Sequence, residues 1–283
     1  MTASPARDPR PLLAIDGDSI AHRAFHALPR SIEGADGKAA NILLGFANMV
    51  VAVWDAEHPR TVFVAFDSPD PTYRHELLEG YQGGRDFPPE LTEQLARLPE
   101  LVEALGFRWA KQAGFEADDL LAAAVLAETE RGGRSLVLTS DRDLFQLASR
   151  ETTILLPRRG VKELERIGPD EVRERYGVDP AQVPDFVALR GDPSDRLPGA
   201  RGIGPGRAAA LLEKHETLDA AVEAGELPGQ EDELRRYVRI TRLQYHAPVP
   251  DLPDAGPDWR RAAALAGRWG LKRLAERLRE RVS

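Results

Sequence analysis

Residues 12–19 read Leu-Leu-Ala-Ile-Asp-Gly-Asp-Ser. Leu12–Ile15 is an apolar run of strand length that stops at an acid in a glycine turn. The same construction recurs twice. Thr61–Phe66 (TVFVAF) is β-branched and aromatic and ends at Asp67, and Ser135–Leu138 ends at Thr139-Ser140-Asp141. Helical stretches separate the strands. Lys38–Asp55 puts Ile42, Phe46, Met49 and Val53 on one face, and Glu116–Glu130 is rich in Ala and Leu and stopped by Gly132-Gly133. Strands alternating with helices predict an α/β fold, a mostly parallel sheet with helices on both faces.

Beyond about residue 168 the pattern changes to short helices separated by Gly and Pro: Pro169–Tyr176, Ala181–Leu189, Pro205–His215, Leu218–Ala224 and Glu231–Gln244. A last amphipathic helix is expected over Asp258–Arg281. This divides the chain into an α/β core at 1–168 and a helical subdomain at 169–283 that includes the C-terminal helix. The irregular stretch Asp67–Pro99 holds five prolines and three glycines, and a long insertion of that kind inside a compact domain is usually functional or mobile.

The whole chain has 283 residues, 42% of them hydrophobic and 30% charged, which suits a folded domain and excludes a disordered chain. It has no cysteine, so disulfides, thiolate zinc sites, iron–sulfur clusters and cysteine nucleophiles are excluded together. The six histidines are scattered, without a metal-binding spacing. No apolar run approaches the roughly 20 residues that span a bilayer, and no signal core follows the N-terminus, so a cytoplasmic protein without membrane contact is expected. The net charge of −8 argues against a protein that coats nucleic acid, but a local cluster of carboxylates would lower the total without repelling a ligand.

Such a cluster is visible. Asp16, Asp67 and Asp141 each follow the carboxyl end of a strand, where parallel α/β sheets bind ligands. One such acid is explained by helix capping; three, each within three residues of its strand, are harder to explain that way. Glu116-Ala117-Asp118-Asp119 then opens an apolar helix with three acids in four residues, more than the helix dipole requires. Asp143 and the Asp192/Asp195 pair complete nine acids in five short segments, with no histidine or cysteine beside them. Crowded carboxylates call for cations, and an all-oxygen donor set suits Mg²⁺ or Mn²⁺. Two such ions about 4 Å apart are the usual device for cleaving a phosphodiester.

A second element reads LPGARGIGPGRAAAL at 197–211. Gly202-Ile203-Gly204 forms a tight turn into a helix N-terminus at Pro205, where exposed N–H groups can hold a phosphate without reading sequence. Arg201 and Arg207 flank it.

Five stretches together resemble the 5′-3′ exonuclease domain attached to bacterial DNA polymerase I, and the related flap endonucleases: LLAIDGDSIAHRAFHAL, VAFDSPDPTYRHELLEGYQGGR, GFEADDLLA, LTSDRDLFQL and ALRGDPSDRLPGARGIGPGRAAALL. The resemblance covers about residues 11–245. It implies a PIN-like α/β core, a helical arch at about 69–100 and a helix–three-turn–helix subdomain with its helix–hairpin–helix at about 197–215. It also implies cleavage of DNA at a 5′ end, nick or flap. No polymerase segment follows, so a free-standing monomeric enzyme is expected. Carried over residue by residue, Asp16, Asp67, Glu116 and Asp118 would surround one metal ion. Asp141, Asp143, Asp192 and Asp195 would hold the second, and Asp119 belongs to the same set. Arg74 and Arg85 would act in catalysis. Arg23 would lie beside the 5′ end, Tyr73, Tyr81 and Gln82 at the arch base. Arg201, Gly202, Ile203, Gly204, Gly206 and Arg207 would meet DNA at the hairpin, with K⁺ bound at Gly202–Gly204.

The chain departs from the family pattern in three places. Gln82 stands where the family has lysine, Gly206 where the hairpin has lysine, and Arg196 where the family has asparagine. The arch stretch is also not basic. Three other readings stand beside the metal-dependent 5′ nuclease: a family member that binds branched DNA but cuts slowly, a PIN-type ribonuclease, and a small-molecule phosphatase. The nine acids oppose the first, the hairpin opposes the second, and the lack of a phosphate-cradling loop or nucleophilic Asp motif opposes the third.

Overall fold

The computed structural model describes residues 10–83, 87–159 and 163–282. Its core holds β1 (Leu12–Asp16), α1 (Gly17–Ala27), α2 (Asn41–Glu57), β2 (Thr61–Ala65), α3 (Tyr73–Leu77), α4 (Pro89–Leu95), α5 (Leu98–Ala104), β3 (Arg108–Ala110), α6 (Ala117–Glu130), β4 (Ser135–Leu138), β5 (Thr152–Arg159) and β6 (Glu163–Ile167). The rest is helical: α7 (Pro169–Tyr176), α8 (Val183–Arg190), α9 (Pro205–His215), α10 (Leu218–Glu223), α11 (Glu231–Thr241), α12 (Trp259–Arg268) and α13 (Lys272–Arg279).

The strands lie in the order β3-β2-β1-β4-β5-β6, and every pair is parallel except the hairpin β5–β6. The chain builds outward from β1 to β3 and then crosses to β4, so the order reverses between β1 and β4. That switch point is where α/β sheets hold ligands. Alternation along β1 divides its side chains: Leu12 and Ala14 pack into one apolar cluster, Leu13 and Ile15 into another. The first cluster joins the sheet to α6 and α8–α11, the second to α1, α2, α5, α12 and α13.

Two parts differ from the sequence expectation. The segment Asp258–Arg281 is two helices, broken at Gly270, whose φ of 79° ends α12. Their apolar residues, Leu265, Leu274 and Leu278 among them, belong to the cluster of α1 and α2, not to that of the helical subdomain. Among the described residues, the stretch Asp67–Pro99 after β2 holds the short helices α3 and α4 and runs into α5. Gln94 ties α4 to the core, its side-chain oxygen accepting from Ile42 N at 2.9 Å and so capping α2.

Candidate active site

Asp16 ends β1 and opens α1. One carboxylate oxygen accepts from Ser19 N at 3.0 Å, and the other accepts from the Thr139 hydroxyl at 2.7 Å. Thr139 follows β4 directly, and its oxygen also accepts from Asp141 N at 2.8 Å. One threonine thus positions two acids across the switch point. Asp67 follows β2 and accepts from Ala117 N at 2.7 Å, tying β2 to the start of α6. Its own N–H donates to Asp18 at 2.8 Å.

The first turn of α6 divides its acids. Glu116 accepts from the Thr72 hydroxyl and the Tyr81 hydroxyl, each at 3.2 Å, and lies 3.6 Å from Arg74. Asp118 faces a narrow cleft of about 30 Å³, shared with Arg74, Tyr81, Gln82, Glu116, Asp141, Asp143 and Asp195. Asp119, expected among the metal-holding acids, points elsewhere. It is fully buried, takes both terminal nitrogens of Arg74 at 2.7 and 2.8 Å, and accepts from Gln244 N at 2.9 Å. Its lone pairs are spent on the protein. Arg74, expected to act on substrate, is likewise committed to Asp119 and the Ile240 carbonyl, clamping α3 between α6 and α11.

The remaining acids crowd together. Burial, with the charges of Asp67 and Asp141 added, pushes the Asp16 carboxyl up to about 8. Glu116 is pushed up to about 7 by burial, Arg74 only partly offsetting this. Burial and neighbouring carboxylates also raise Asp118 and Asp143 well above the carboxylate range. Asp18, which the sequence reading did not single out, is pushed up to about 7 by burial and by Asp67; its place in the Asp-Gly-Asp turn was the available signal. Asp192 accepts from Ser194 N at 2.8 Å and lies 3.4 Å from Arg190. It acts on the cluster through Asp143.

This donor set fits hard cations: oxygens only, buried, and held ionised at neutral pH only against strong repulsion. Among the described residues, no three acidic side chains already stand in a preformed coordination arrangement.

The other expected residues are dispersed. Tyr81 is buried, donates to Glu116 and accepts from Gln82 Nε2 at 3.0 Å, so Gln82 points into the site. Tyr73 donates to the Arg242 carbonyl at 3.1 Å, in a separate cavity of about 540 Å³. Arg23 lines a cavity of about 570 Å³ with Ser19, His22, His26, Ser140 and Asp141, and its Nε is buried without a hydrogen-bond partner. Arg85 lies outside the described residues. At the hairpin, Gly202 has φ 73°, and a Cβ placed on Gly202, Gly204 or Gly206 would touch nothing within 4 Å. Ile203 is an anchor, buried in the cluster below. Arg201 is turned back onto the Gly229 carbonyl at 3.0 Å, and Arg207 is exposed.

The profile of the 5′-3′ exonuclease N-terminal resolvase-like domain matches residues 11–177, and that of the 5′-3′ exonuclease C-terminal SAM fold matches 178–249. DNA polymerase I of Mycobacterium leprae is 42% identical over 214 residues, 75% of this chain and 24% of that protein. DNA polymerase I of Bacillus caldotenax is 34% identical over 282 residues, covering 94% of this chain and 32% of that protein. The chain therefore matches a quarter to a third of these relatives' length. The D15 flap endonuclease of bacteriophage T5, solved with DNA and metal ions, superposes with a TM-score of 0.71 at 19% identity, covering 96% of this chain and 98% of that one. The catalytic core of Rad2 in complex with DNA substrate gives 0.63 at 15% identity, covering 94% and 90%. With both domain profiles matched in order along the chain, and polymerase segments more than 30% identical, the chain belongs to the 5′-3′ exonuclease family.

Proposed function

We propose that this chain is a divalent-metal-dependent 5′ nuclease that hydrolyses phosphodiester bonds of DNA at a 5′ end, nick or flap. One observation carries the reading: acids delivered by β1, β2, β4, α6 and the Asp192–Asp195 turn gather at the switch point of the sheet, where burial favours the protonated form of Asp16, Glu116, Asp118 and Asp143. Asp16, Asp67, Glu116 and Asp118 would hold one Mg²⁺ or Mn²⁺; Asp141, Asp143, Asp192 and Asp195 would hold the other. Asp18 steadies Asp67, and Asp119 serves as the counter-charge of Arg74. Such ions, when bound, supply the positive charge that a phosphodiester transition state needs.

The protein's own part is positioning. Thr139 sets Asp16 and the backbone of Asp141; Tyr81 sets Glu116 and is itself set by Gln82. The bare turn Gly202–Gly204 and the N-terminus of α9 offer backbone N–H groups to duplex phosphates, and the turn's carbonyls offer a site for K⁺. Arg23, in its cavity beside Asp141, receives the 5′ end. A monomer working in the cytoplasm is the simplest setting. No helix among the described residues is long and apolar enough to cross a membrane.

The test is a 5′-flap DNA incubated with the protein in Mg²⁺, in Mn²⁺ and in EDTA. Cleavage is expected with either ion and none in EDTA; full activity in EDTA ends the reading.

A further inference from the structure

The turn that carries Asp195 into the acid cleft also carries Arg196. The turn is closed by Asp192 N to the Leu197 carbonyl at 2.9 Å and by Leu197 N to the Asp192 carbonyl at 2.8 Å. Within it, Arg196 stands at φ 59°, in the left-handed region that L side chains avoid. Asparagine tolerates that region better than arginine does, so the arginine is kept against local preference. Strained positions of this kind gather at functional sites.

Its side chain explains where that preference goes. The guanidinium reaches across to the arch base, where a Cβ on Gly83 would lie 3.1 Å from Arg196 Nη1 and one on Gly80 would lie 3.9 Å away. A side chain at position 83 would crowd it, whereas one at position 80 would only touch it. Gln82, between them, lines the acid cleft together with Asp195. The other described arginines here are spoken for: Arg74 by Asp119, Arg190 by Asp192. Among the described residues, no carboxylate lies within 4.0 Å of the Arg196 guanidinium; Arg196 is exposed, its guanidinium beside the two glycines that flank the cleft-lining Gln82. A DNA strand entering that cleft brings phosphates into a field of carboxylates. A guanidinium beside the cleft offsets the repulsion and offers a two-pronged grip on phosphate oxygens.

We infer that Arg196 is a substrate-contacting residue: its guanidinium meets a phosphate of the strand entering the acid cleft and supplies the positive charge that Gln82 does not. This rests on the nuclease reading above.

The experiment measures single-turnover cleavage of 5′-flap DNA in Mg²⁺ together with thermal melting. Arg196→Asn removes the charge and relaxes the backbone. It is expected to cut at least about tenfold more slowly, in line with loss of a charged transition-state contact, while melting no lower than the parent. Arg196→Lys should lie between the two. Gln82→Lys in the Arg196→Asn background should restore most of the rate, because it returns a cation to the same place. Arg196→Asn cutting at the parent's rate overturns the inference. So does a slow variant that melts lower in step and is not rescued by Gln82→Lys, since that pattern means a structural turn. A parent that cuts no flap DNA removes the nuclease reading and this inference with it; a parent that cuts beside an equally fast Arg196→Asn removes the inference alone.

Discussion

Asp118 and Asp119 are neighbours in the chain with opposite fates. Residues adjacent on a helix point about 100° apart, so one reaches the acid cleft and the other is buried under Arg74. Sequence can show that three acids crowd the start of α6, but not which of them faces the site, because that depends on where α3 docks. The same holds for Asp18, legible as an acid but not as a partner of Asp67. The raised carboxyls have a consequence for stability. Asp16, pushed up to about 8, and Asp18 and Glu116, pushed up to about 7, bind protons in the folded state that they release in the unfolded state from about pH 4 upward. Between those limits the folded form holds more protons, so stability falls as pH rises. In EDTA, the melting temperature is expected to drop between pH 5 and pH 8, and added Mg²⁺ should reverse most of the drop at pH 8. Asp118→Asn should raise melting at pH 8 in EDTA while lowering cleavage by roughly two orders of magnitude or more. A metal-free melting temperature that climbs with pH would contradict the crowding described above.

At the scale of elements, the parallel strands β1, β2 and β4 and the helices α6, α7 and α9 are readable because each carries its own signal: an apolar run, a cap, a stop. The hairpin β5–β6 carries weaker ones. In Thr152–Arg159 the apolar Ile154–Leu156 run on into Pro157 and two arginines, and Glu163–Ile167 has three charges in five residues at the sheet edge, where one face is wet. β3 has only three residues and exists by pairing with β2. The hairpin at Gly202–Gly206 is the reverse case, read from its glycines. Its bareness yields a prediction. Gly206 is the second residue of α9, with open space where a Cβ would be. Gly206→Ala should stabilise α9 by up to about 1 kcal/mol yet weaken binding to nicked duplex severalfold, because the methyl occupies the approach of a phosphate. Anisotropy in EDTA, where nothing is cut, reads the second effect, and melting reads the first. Unchanged affinity would mean that DNA does not come this close to the turn.

The whole molecule is held together by a return of the chain that sequence does not disclose. An amphipathic C-terminal helix can lie on any apolar face, and only the structure says that α12 and α13 cover α2 and α5. Arg60 is the fastening. Nearly inaccessible, it is paired through two nitrogens with buried Glu128, and it donates to the Leu252 carbonyl at 2.7 Å and to Asp254 at 2.9 Å. Ala255 N to the Arg60 carbonyl and Asp258 N to the Leu105 carbonyl, both at 2.9 Å, continue the strap. Removing one partner of a buried pair strands the other's charge, so Arg60→Ala should cost about 3–5 kcal/mol. Replacing both, as Arg60→Met with Glu128→Leu, should recover much of that loss. Urea unfolding of the single and double variants checks both statements; equal losses in the two would show that the strap, not the charge, carries the effect.

That late return also sets an order of events during synthesis. The apolar faces of α2 and α5 leave the ribosome early, and the helices that cover them are made much later. At 5–20 residues per second, the stretch from Glu57 to Lys272 takes about 10–40 s. Through that interval the nascent chain carries an uncovered hydrophobic face that the finished protein never shows. Exposure to aggregation and to chaperones therefore belongs to the growing chain, and slower translation of the helical half lengthens it.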